Sequence, residues 1–332
     1  MQLLLNRAVA WCCGLVCAAL VAGTARAEWY TDQQEKMGTS VSIQVWLPDD
    51  GAAAVRAAEL LHRGMAEFDR IEAQMSTYIE SSEMSRINRL AASGPQSVTP
   101  ELFALLIRAQ EISELTEGAF DISYDSVGQL YDFRAGLRPD EAEIAAQLPA
   151  INYRNIVLDP EQQTVEFAVP GVRINLGGIA KGYAVEQVIE LLAEAGVKHA
   201  LANAGGDTRI LGDRVGKPWI VGVRDPNDAR AIFTRMALAD EAISTSGDYE
   251  RFFVEDGQRY HHIISPSSGV PATGVRSVSV VGPNATVTDA LSTSVFVMGP
   301  ERGLKLIAEL TDYEALVITD EEYFYSAGLS PD

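Results

Sequence analysis

The order in which strand-like and helix-like segments follow one another restricts the fold of this chain more than any other sequence feature. Residues 38–48 alternate apolar and polar side chains as a half-buried strand does, and residues 52–75 carry the three- and four-residue apolar spacing of an amphipathic helix. Thr99 followed by Pro100 marks a helix start. More helices are predicted over residues 180–195 and from about 286, and more strands over residues 172–176, 198–202, 208–211, 219–223 and 276–281. Helices and strands mix without a strict βαβ repeat, which favours an α+β fold.

The first 27 residues differ in character from the rest. Arg7 precedes an apolar stretch over residues 9–21, and Ala25-Arg26-Ala27 has the small-x-small pattern of a cleavage site. This combination predicts a secretory signal peptide at 1–27, which leaves residues 28–332 as the mature domain. An uncleaved signal anchor is the alternative, and the cleavage pattern favours removal. We therefore expect a soluble exported protein.

All three cysteines, Cys12, Cys13 and Cys17, lie inside this N-terminal segment. The mature chain would then have no disulfide, no thiolate nucleophile and no zinc–thiolate site. None of the three cysteines follows a small residue as a lipoprotein anchor would require, so a lipid anchor is not expected.

The chain is strongly acidic, with a formal net charge of −20. Removing residues 1–27 takes away Arg7 and Arg26 and no acidic residue, which leaves 24 basic against 46 acidic side chains. Nucleic acid is a poor partner for such a surface. An anionic ligand would have to be received by local backbone dipoles or through a metal ion.

The segment INLGGIAKGYAVE, residues 174–186, is a candidate anion-binding loop. It matches neither the P-loop nor the dinucleotide fingerprint. Gly177 and Gly178 nevertheless lie directly before a predicted helix, where unpaired backbone N–H groups attract anions. Lys181 falls in the first helical turn, an unfavourable place for a cation unless something else requires it. A tight turn with an exposed lysine is the alternative.

Asp289 and Thr293 are four residues apart on a predicted helix, so their oxygen atoms face the same side. Two hard oxygen ligands with a backbone carbonyl and waters suit Mg²⁺. A polar helix face, with the threonine bonded to its own backbone, is the alternative.

Two adjacent histidines, His261 and His262, precede the turn SPSSG. On a strand they point to opposite faces, so only one of them can serve a given site. Either would be a plausible general base or a structural histidine. The chain has neither the G-x-S-x-G elbow nor the H-E-x-x-H motif, which argues against a serine hydrolase and a zincin.

Two further segments are individually unspecific. Tyr78 lies in a polar setting, and Phe120 and Asp121 follow Gly118. An exposed aromatic ring and an acid could clamp a flat heterocycle. The segment NAGGD at 203–207 alone indicates only a turn.

Taken together and in order, eight segments resemble the ApbE family of FAD:protein FMN transferases. They are MGTSVSI, MSTYIESSEMSRIN, TEGAFDIS, INLGGIAKGYAVE, NAGGD, ISTSGDYERFF, HHIISPSSG and VTDALSTSVFVMG. The likeness covers roughly residues 30–325. It implies one compact domain of two packed α/β halves with mixed sheets, and an active site between the halves.

The resemblance also implies the chemistry. A threonine hydroxyl of an acceptor protein would attack the FMN phosphorus of FAD with the help of Mg²⁺, and AMP would leave. Acceptors in this family are typically membrane subunits of respiratory complexes, and members are typically periplasmic, which agrees with the predicted signal peptide.

By motif position, the resemblance assigns roles to individual residues. His262 would be the base, and Asp289, Thr293 and the carbonyl of Gly178 would hold the metal. The FAD contacts would be Met37, Tyr78, Ala119, Phe120, Asp121, Asn175, Lys181 and Ile263. Loop 177–182 would then hold the FAD diphosphate and its metal.

Two residues depart from the family pattern. Asn175 and Ser265 stand where many members have aspartate, which puts FAD affinity in question. Two other functions remain open from sequence: an FAD pyrophosphatase that releases FMN and AMP, and an accessory protein that binds FAD without catalysis.

Overall fold

The computed structural model describes residues 28–228 and 230–329. The predicted signal peptide and the three cysteines lie outside these residues. Within the described residues, no helix is both long enough and apolar enough to cross a bilayer.

The described chain forms fifteen strands and eight α-helices. The strands are β1 (Glu28–Lys36), β2 (Thr39–Leu47), β3 (Gln96–Ser97), β4 (Ile156–Asp159), β5 (Thr164–Phe167), β6 (Ala200–Ala204), β7 (Asp207–Leu211), β8 (Trp219–Arg224), β9 (Ile232–Leu238), β10 (Ala242–Gly247), β11 (Phe252–Glu255), β12 (Gln258–His261), β13 (Ser277–Gly282), β14 (Glu314–Ile318) and β15 (Tyr323–Tyr325). The helices are α1 (Ala53–Met75), α2 (Glu83–Leu90), α3 (Pro100–Leu115), α4 (Asp125–Gly128), α5 (Glu141–Gln147), α6 (Ala180–Glu194), α7 (Ala285–Met298) and α8 (Pro300–Ala308).

One large sheet organises the molecule. Its eight strands run in the order β1-β2-β6-β7-β10-β13-β14-β15, and the pairings among these described strands are antiparallel. Smaller sheets are β3-β5-β4, β8-β9 and β11-β12. The α+β prediction is confirmed.

Each face of the large sheet covers a separate part of the core, because successive side chains of a strand point to opposite sides. On one face, α1, α6 and α7 pack over strands such as β2, whose Val41, Ile43 and Val45 are fully buried. On the other face, the β8-β9 hairpin covers Leu201, Ile210 and other apolar side chains. The small sheet β3-β5-β4 shares the helical core, since Val165 and Phe167 belong to the same cluster as β2 and α1. The small sheet and the helical face of the large sheet therefore pack into the same part of the core.

Most predicted elements form close to where the sequence placed them. Thr99 caps α3, its hydroxyl accepting a hydrogen bond from Leu102 N at 3.4 Å, and Pro100 is the first helical residue. Gly196, with a φ of +86°, follows the end of α6.

The strand predicted over residues 172–176 is wrong. The Asn88 side chain bonds both the N–H and the carbonyl of Ile174, and Arg173 N donates to Ser126 Oγ at 3.0 Å. Side chains thus satisfy this backbone in place of a neighbouring strand. The apolar alternation reflects burial of Val172, Ile174 and Leu176 without a ladder.

Helices α6 and α7 cross closely at Gly182. A Cβ built on Gly182 would overlap the carbonyl oxygen of Ala285 and lie 2.6 Å from Cβ of Asp289. Both obstacles belong to α7 and cannot move without displacing that helix.

We expect Gly182→Ala to lower the free energy of unfolding by about 1–3 kcal/mol, because the methyl group would force the two helices apart. Gly64→Ala in α1 is the matched control, since its added Cβ would meet only side-chain atoms of Ile43 and Val188. Urea denaturation of both variants measures the difference. Equal stabilities would contradict a backbone-limited crossing.

Candidate active site

The loop before α6 leaves the start of that helix open. Ile179 is the residue that precedes α6, and it supplies no side-chain cap to the first N–H groups. The loop is fixed instead by its own bonds: Ala180 N donates to Leu176 O at 2.8 Å and Gly177 N donates to Asn175 Oδ1 at 2.9 Å. Since Leu176 and Ile179 are buried, the loop is anchored while Gly177 stays exposed. Since Gly182 N donates to Asp289 Oδ2, the N–H groups left to receive an anion here are those of Gly178 and Lys181.

Asp289 and Thr293 reach this loop from α7. A Cβ built on Gly178 would lie 3.4 Å from Thr293 Oγ1, and Gly182 N donates to Asp289 Oδ2 at 2.9 Å. The two predicted metal ligands therefore lie on one helix face against the predicted loop. Thr293 Oγ1 also contacts Ser246 Oγ at 3.2 Å.

Lys181 lies between two carboxylates, which explains a cation in the first turn of α6. Its Nζ forms an ion pair with Asp207 and lies 3.7 Å from Asp289 Oδ1. Burial and the nearby charge of Asp207 raise the pKa of Asp289, while Lys181 opposes the rise. Asp289 Oδ2 thus accepts from Gly182 N, whereas Oδ1 has only the Lys181 ammonium near it, at 3.7 Å.

These donors fit a hard divalent cation. The set comprises the buried carboxylate of Asp289, the hydroxyl of Thr293 and the backbone at Gly178, all oxygen donors of the kind Mg²⁺ prefers. Within the described residues, no three His, Cys, Asp or Glu side chains cluster as a metal site, so other oxygen ligands would come from water or a bound phosphate.

His262 follows β12 directly and differs sharply from its neighbour. His261, the last residue of β12, is buried; its Nε2 lies 2.8 Å from Ala272 O and its ring packs against Phe296. Nδ1 of His262 is buried and has no hydrogen-bond partner among the described residues. Burial, with the charges of Arg251 and other nearby groups, lowers the pKa of His262 to about 3. Its imidazole is therefore neutral at physiological pH.

The aromatic residues have unequal environments. Tyr78 is 86% exposed, whereas Phe120 is buried, with its ring 3.3 Å from where a Cβ of Gly178 would be. Tyr78 is thus the exposed aromatic residue that its polar sequence setting predicts. A ring this close to the loop can still form a wall of the site.

The carboxylate of Asp121 is used by the protein itself. It accepts hydrogen bonds from Ser123 N at 2.8 Å, Ser123 Oγ at 2.6 Å and Tyr153 N at 2.7 Å. Any ligand contact from the Ala119–Asp121 run is thereby left to its backbone and to Phe120.

The two remaining predicted FAD contacts lie on loops. Met37 occupies the β1-β2 turn with a φ of 52°, and its N–H donates to Glu72 Oε2 at 2.9 Å. Ile263 is buried directly after His262.

The sequence assigned no role to three residues that the structure places at the site. Asp207, at the end of NAGGD, holds Lys181, and it lies 26 residues away. Asp125 and Arg173 form a pair, with Arg173 Nε donating to Asp125 Oδ2 at 2.6 Å. Asn175 connects this pair to the loop, because its amide donates to Asp125 Oδ1 at 3.3 Å.

The sequence model of the ApbE family matches residues 37–317 of this chain. The chain belongs to the ApbE family. The resemblance drawn from the eight segments is thereby confirmed.

Similar ApbE family proteins cover nearly the whole chain. An FAD:protein FMN transferase of Vibrio cholerae is 32% identical over 328 residues, covering 94% of this chain and 95% of the relative. An FAD:protein FMN transferase of Treponema pallidum is 33% identical over 326 residues, covering 92% and 89%.

Solved ApbE structures have the same fold. The crystal structure of the ApbE protein of Thermotoga maritima superposes with a TM-score of 0.83 at 34% identity, over 91% of this chain and 98% of that one. The flavin transferase ApbE of Vibrio cholerae gives a TM-score of 0.80 at 29% identity, over 91% and 98%. The prediction of a single compact ApbE-like α+β domain is confirmed.

Asn175 is suited to its neighbour Asp125, because its amide donates a hydrogen bond to that carboxylate. Asn175→Asp would replace a donor by a second acid 3.3 Å from Asp125, while keeping the acceptor used by Gly177 N. We expect this variant to lose about 1.5–3 kcal/mol of unfolding free energy, because a buried charged group loses its donor.

Asn175→Ala is the control, since it removes the same bonds without adding charge. Chemical denaturation at pH 7 should rank Asn175→Asp below Asn175→Ala, and adding Asp125→Asn to Asn175→Asp should restore part of the loss. An Asp variant as stable as the Ala variant would exclude repulsion with Asp125.

Proposed function

We propose that this protein is an FAD:protein FMN transferase that moves FMN from FAD to a threonine hydroxyl of an acceptor protein, releases AMP and depends on Mg²⁺. The observation that supports this most directly is the position of Asp289. Its buried carboxylate lies against the open start of α6, beside Thr293, Gly178 and the Lys181 ammonium.

The diphosphate of FAD has a suitable place at this loop. Two N–H groups here, those of Gly178 and Lys181, have no hydrogen-bond partner among the described residues and favour phosphate oxygens, and the Lys181 ammonium adds a positive charge in the first turn. A bound Mg²⁺, held by Asp289, Thr293 and the Gly178 backbone, would neutralise phosphate charge and activate the phosphorus toward attack. This arrangement explains how a chain of net charge −20 can bind an anionic dinucleotide.

The transfer step forms one bond, breaks one bond and moves one proton to a residue of the site. The threonine oxygen forms an ester bond to the FMN phosphorus, and the anhydride bond to the AMP phosphate breaks. AMP leaves with the bridging oxygen, and the hydroxyl proton goes to His262. Neutral imidazole is the form required for this role, and the negative charge of the bound phosphates would raise the pKa of His262 from its low value and so favour its protonation.

The positioning of the acceptor threonine favours transfer over hydrolysis. A threonine held by a docked protein has a high effective concentration at the phosphorus and displaces water. By family resemblance, we propose that the protein acts in the periplasm after removal of residues 1–27, on a membrane respiratory subunit. Nucleic acid is not proposed as a partner.

The function is tested with mature protein, FAD, Mg²⁺ and a threonine-bearing acceptor domain, following AMP by chromatography and acceptor mass by mass spectrometry. We expect the mass of FMN on the acceptor threonine. AMP without a modified acceptor would instead indicate a pyrophosphatase, and bound FAD without AMP would indicate an accessory protein.

In that assay, His262→Ala should slow transfer by about 10²- to 10⁴-fold, because the proton acceptor is lost. His261→Ala is the control: it removes the bond to Ala272 and packing on Phe296, so it should lower stability while leaving much of the rate. Both rates are measured well below each variant's melting temperature. Equal losses would exclude His262 as the base.

Asp289→Asn should raise the Mg²⁺ concentration for half-maximal AMP release by at least about 10-fold, because a ligand charge is removed. Asp248→Asn is the matched control, a buried carboxylate paired with Arg259 and Arg276. Its Mg²⁺ requirement should stay unchanged even where its melting temperature falls. An unaltered Mg²⁺ titration for Asp289→Asn would remove Asp289 from the ligand set.

A further inference from the structure

Arg251 connects two segments that are far apart in the sequence, namely residues 251–262 and the β1-β2 turn. It lies immediately before β11, and its carbonyl accepts a hydrogen bond from His262 N at 3.1 Å. Its side chain is exposed, and Nη2 lies 3.2 Å from where a Cβ of Gly38 would be. The guanidinium therefore extends from the backbone that holds His262 to the turn that carries Met37.

Arg251 also has no acidic partner among the described residues, unlike the arginines around it. Arg259 and Arg276 both pair with Asp248, and Arg224 pairs with Glu250 at 3.3 Å. Glu72 beside this turn accepts a hydrogen bond from Met37 N, and it forms no ion pair with Arg251.

The charge of Arg251 acts inside the candidate active site. After burial, it is the strongest influence lowering the pKa of His262. It also opposes the raised pKa of Lys181 and that of Tyr124, whose hydroxyl lies 3.5 Å from where a Cβ of Gly177 would be. The charge of Arg251 thus influences groups of three separate segments of the site.

Lys181 and Arg251 differ in what they can offer a ligand. Lys181 is already paired with Asp207 and close to Asp289, so its charge is largely compensated. Arg251 is uncompensated, and its planar guanidinium can give two parallel N–H bonds to phosphate oxygens. The site therefore holds one cation fixed by protein carboxylates and one available to a ligand.

We propose that Arg251, placed between the His262 segment and the Met37–Gly38 turn, binds a phosphate of the FAD diphosphate. This role rests on the proposed function, since it takes FAD as the ligand. With this role, the 251–262 segment would supply both the base, His262, and a phosphate-binding cation, Arg251. The two residues are joined by the hydrogen bond from His262 N to Arg251 O.

The test compares Arg251→Gln and Arg251→Lys with the control Arg224→Gln, which removes the same charge from an exposed arginine nearby. FAD dissociation constants are measured by flavin fluorescence at low and high salt. We expect Arg251→Gln to weaken FAD binding about 10-fold or more at low salt and to flatten its salt dependence. Arg251→Lys should recover part of the loss, and Arg224→Gln should bind FAD like the unaltered protein.

Several outcomes would overturn the proposal. One is an unchanged FAD dissociation constant in Arg251→Gln, and another is an equal loss in the Arg224→Gln control. A slower transfer at saturating FAD with unchanged FAD affinity would assign Arg251 to the acceptor protein. If the unaltered protein binds FAD but transfers nothing, the proposed function fails while the binding comparison still decides the role of Arg251. If it binds no FAD, both fail.

Discussion

The hydrogen bond from Gly182 N to the buried carboxylate of Asp289 is the interaction on which the rest of the site depends. It joins α6 to α7 where only glycine fits, and it fixes one carboxylate oxygen while leaving the other near Lys181. Because the same crossing brings Thr293 to Gly178, the ligand positions and the anion-binding loop are set by one packing contact. The close crossing of α6 and α7 therefore limits both the packing of the core and the geometry of the site.

Charge in this molecule is organised locally. A net charge of −20 would repel a dinucleotide from most of the surface, yet the site carries Lys181 and the unpaired N–H groups of Gly178 and Lys181 at the start of α6. Asp207 and Asp289 hold Lys181 in place and limit its net field. A divalent cation at Asp289 would shift the balance toward anion binding.

Sequence reasoning succeeded where a local pattern carries the information. Helix α1, the cap at Thr99 and the strand–helix order follow from periodicity and capping, and the ordered motifs identified the family. It failed at residues 172–176, because side chains of Asn88 and Ser126 took the place of a ladder. Asp207, Asp125 and Arg251 were missed for a related reason. Their roles arise only from contacts across the fold, such as that between Arg251 and the turn at Gly38.

The two departures from the family pattern are accommodated by their surroundings. Asn175 donates to Asp125 where a second carboxylate would be repelled, so the amide and the nearby acid belong together. Ser265 begins a turn held by backbone bonds, with Ser265 N donating to Val270 O and Gly269 N donating to Ser265 O, both at 2.8 Å. Its hydroxyl adds a contact to Ser267 at 3.1 Å. Since this turn follows His262 and Ile263, the segment that carries the proposed base is held in place without an aspartate at 265.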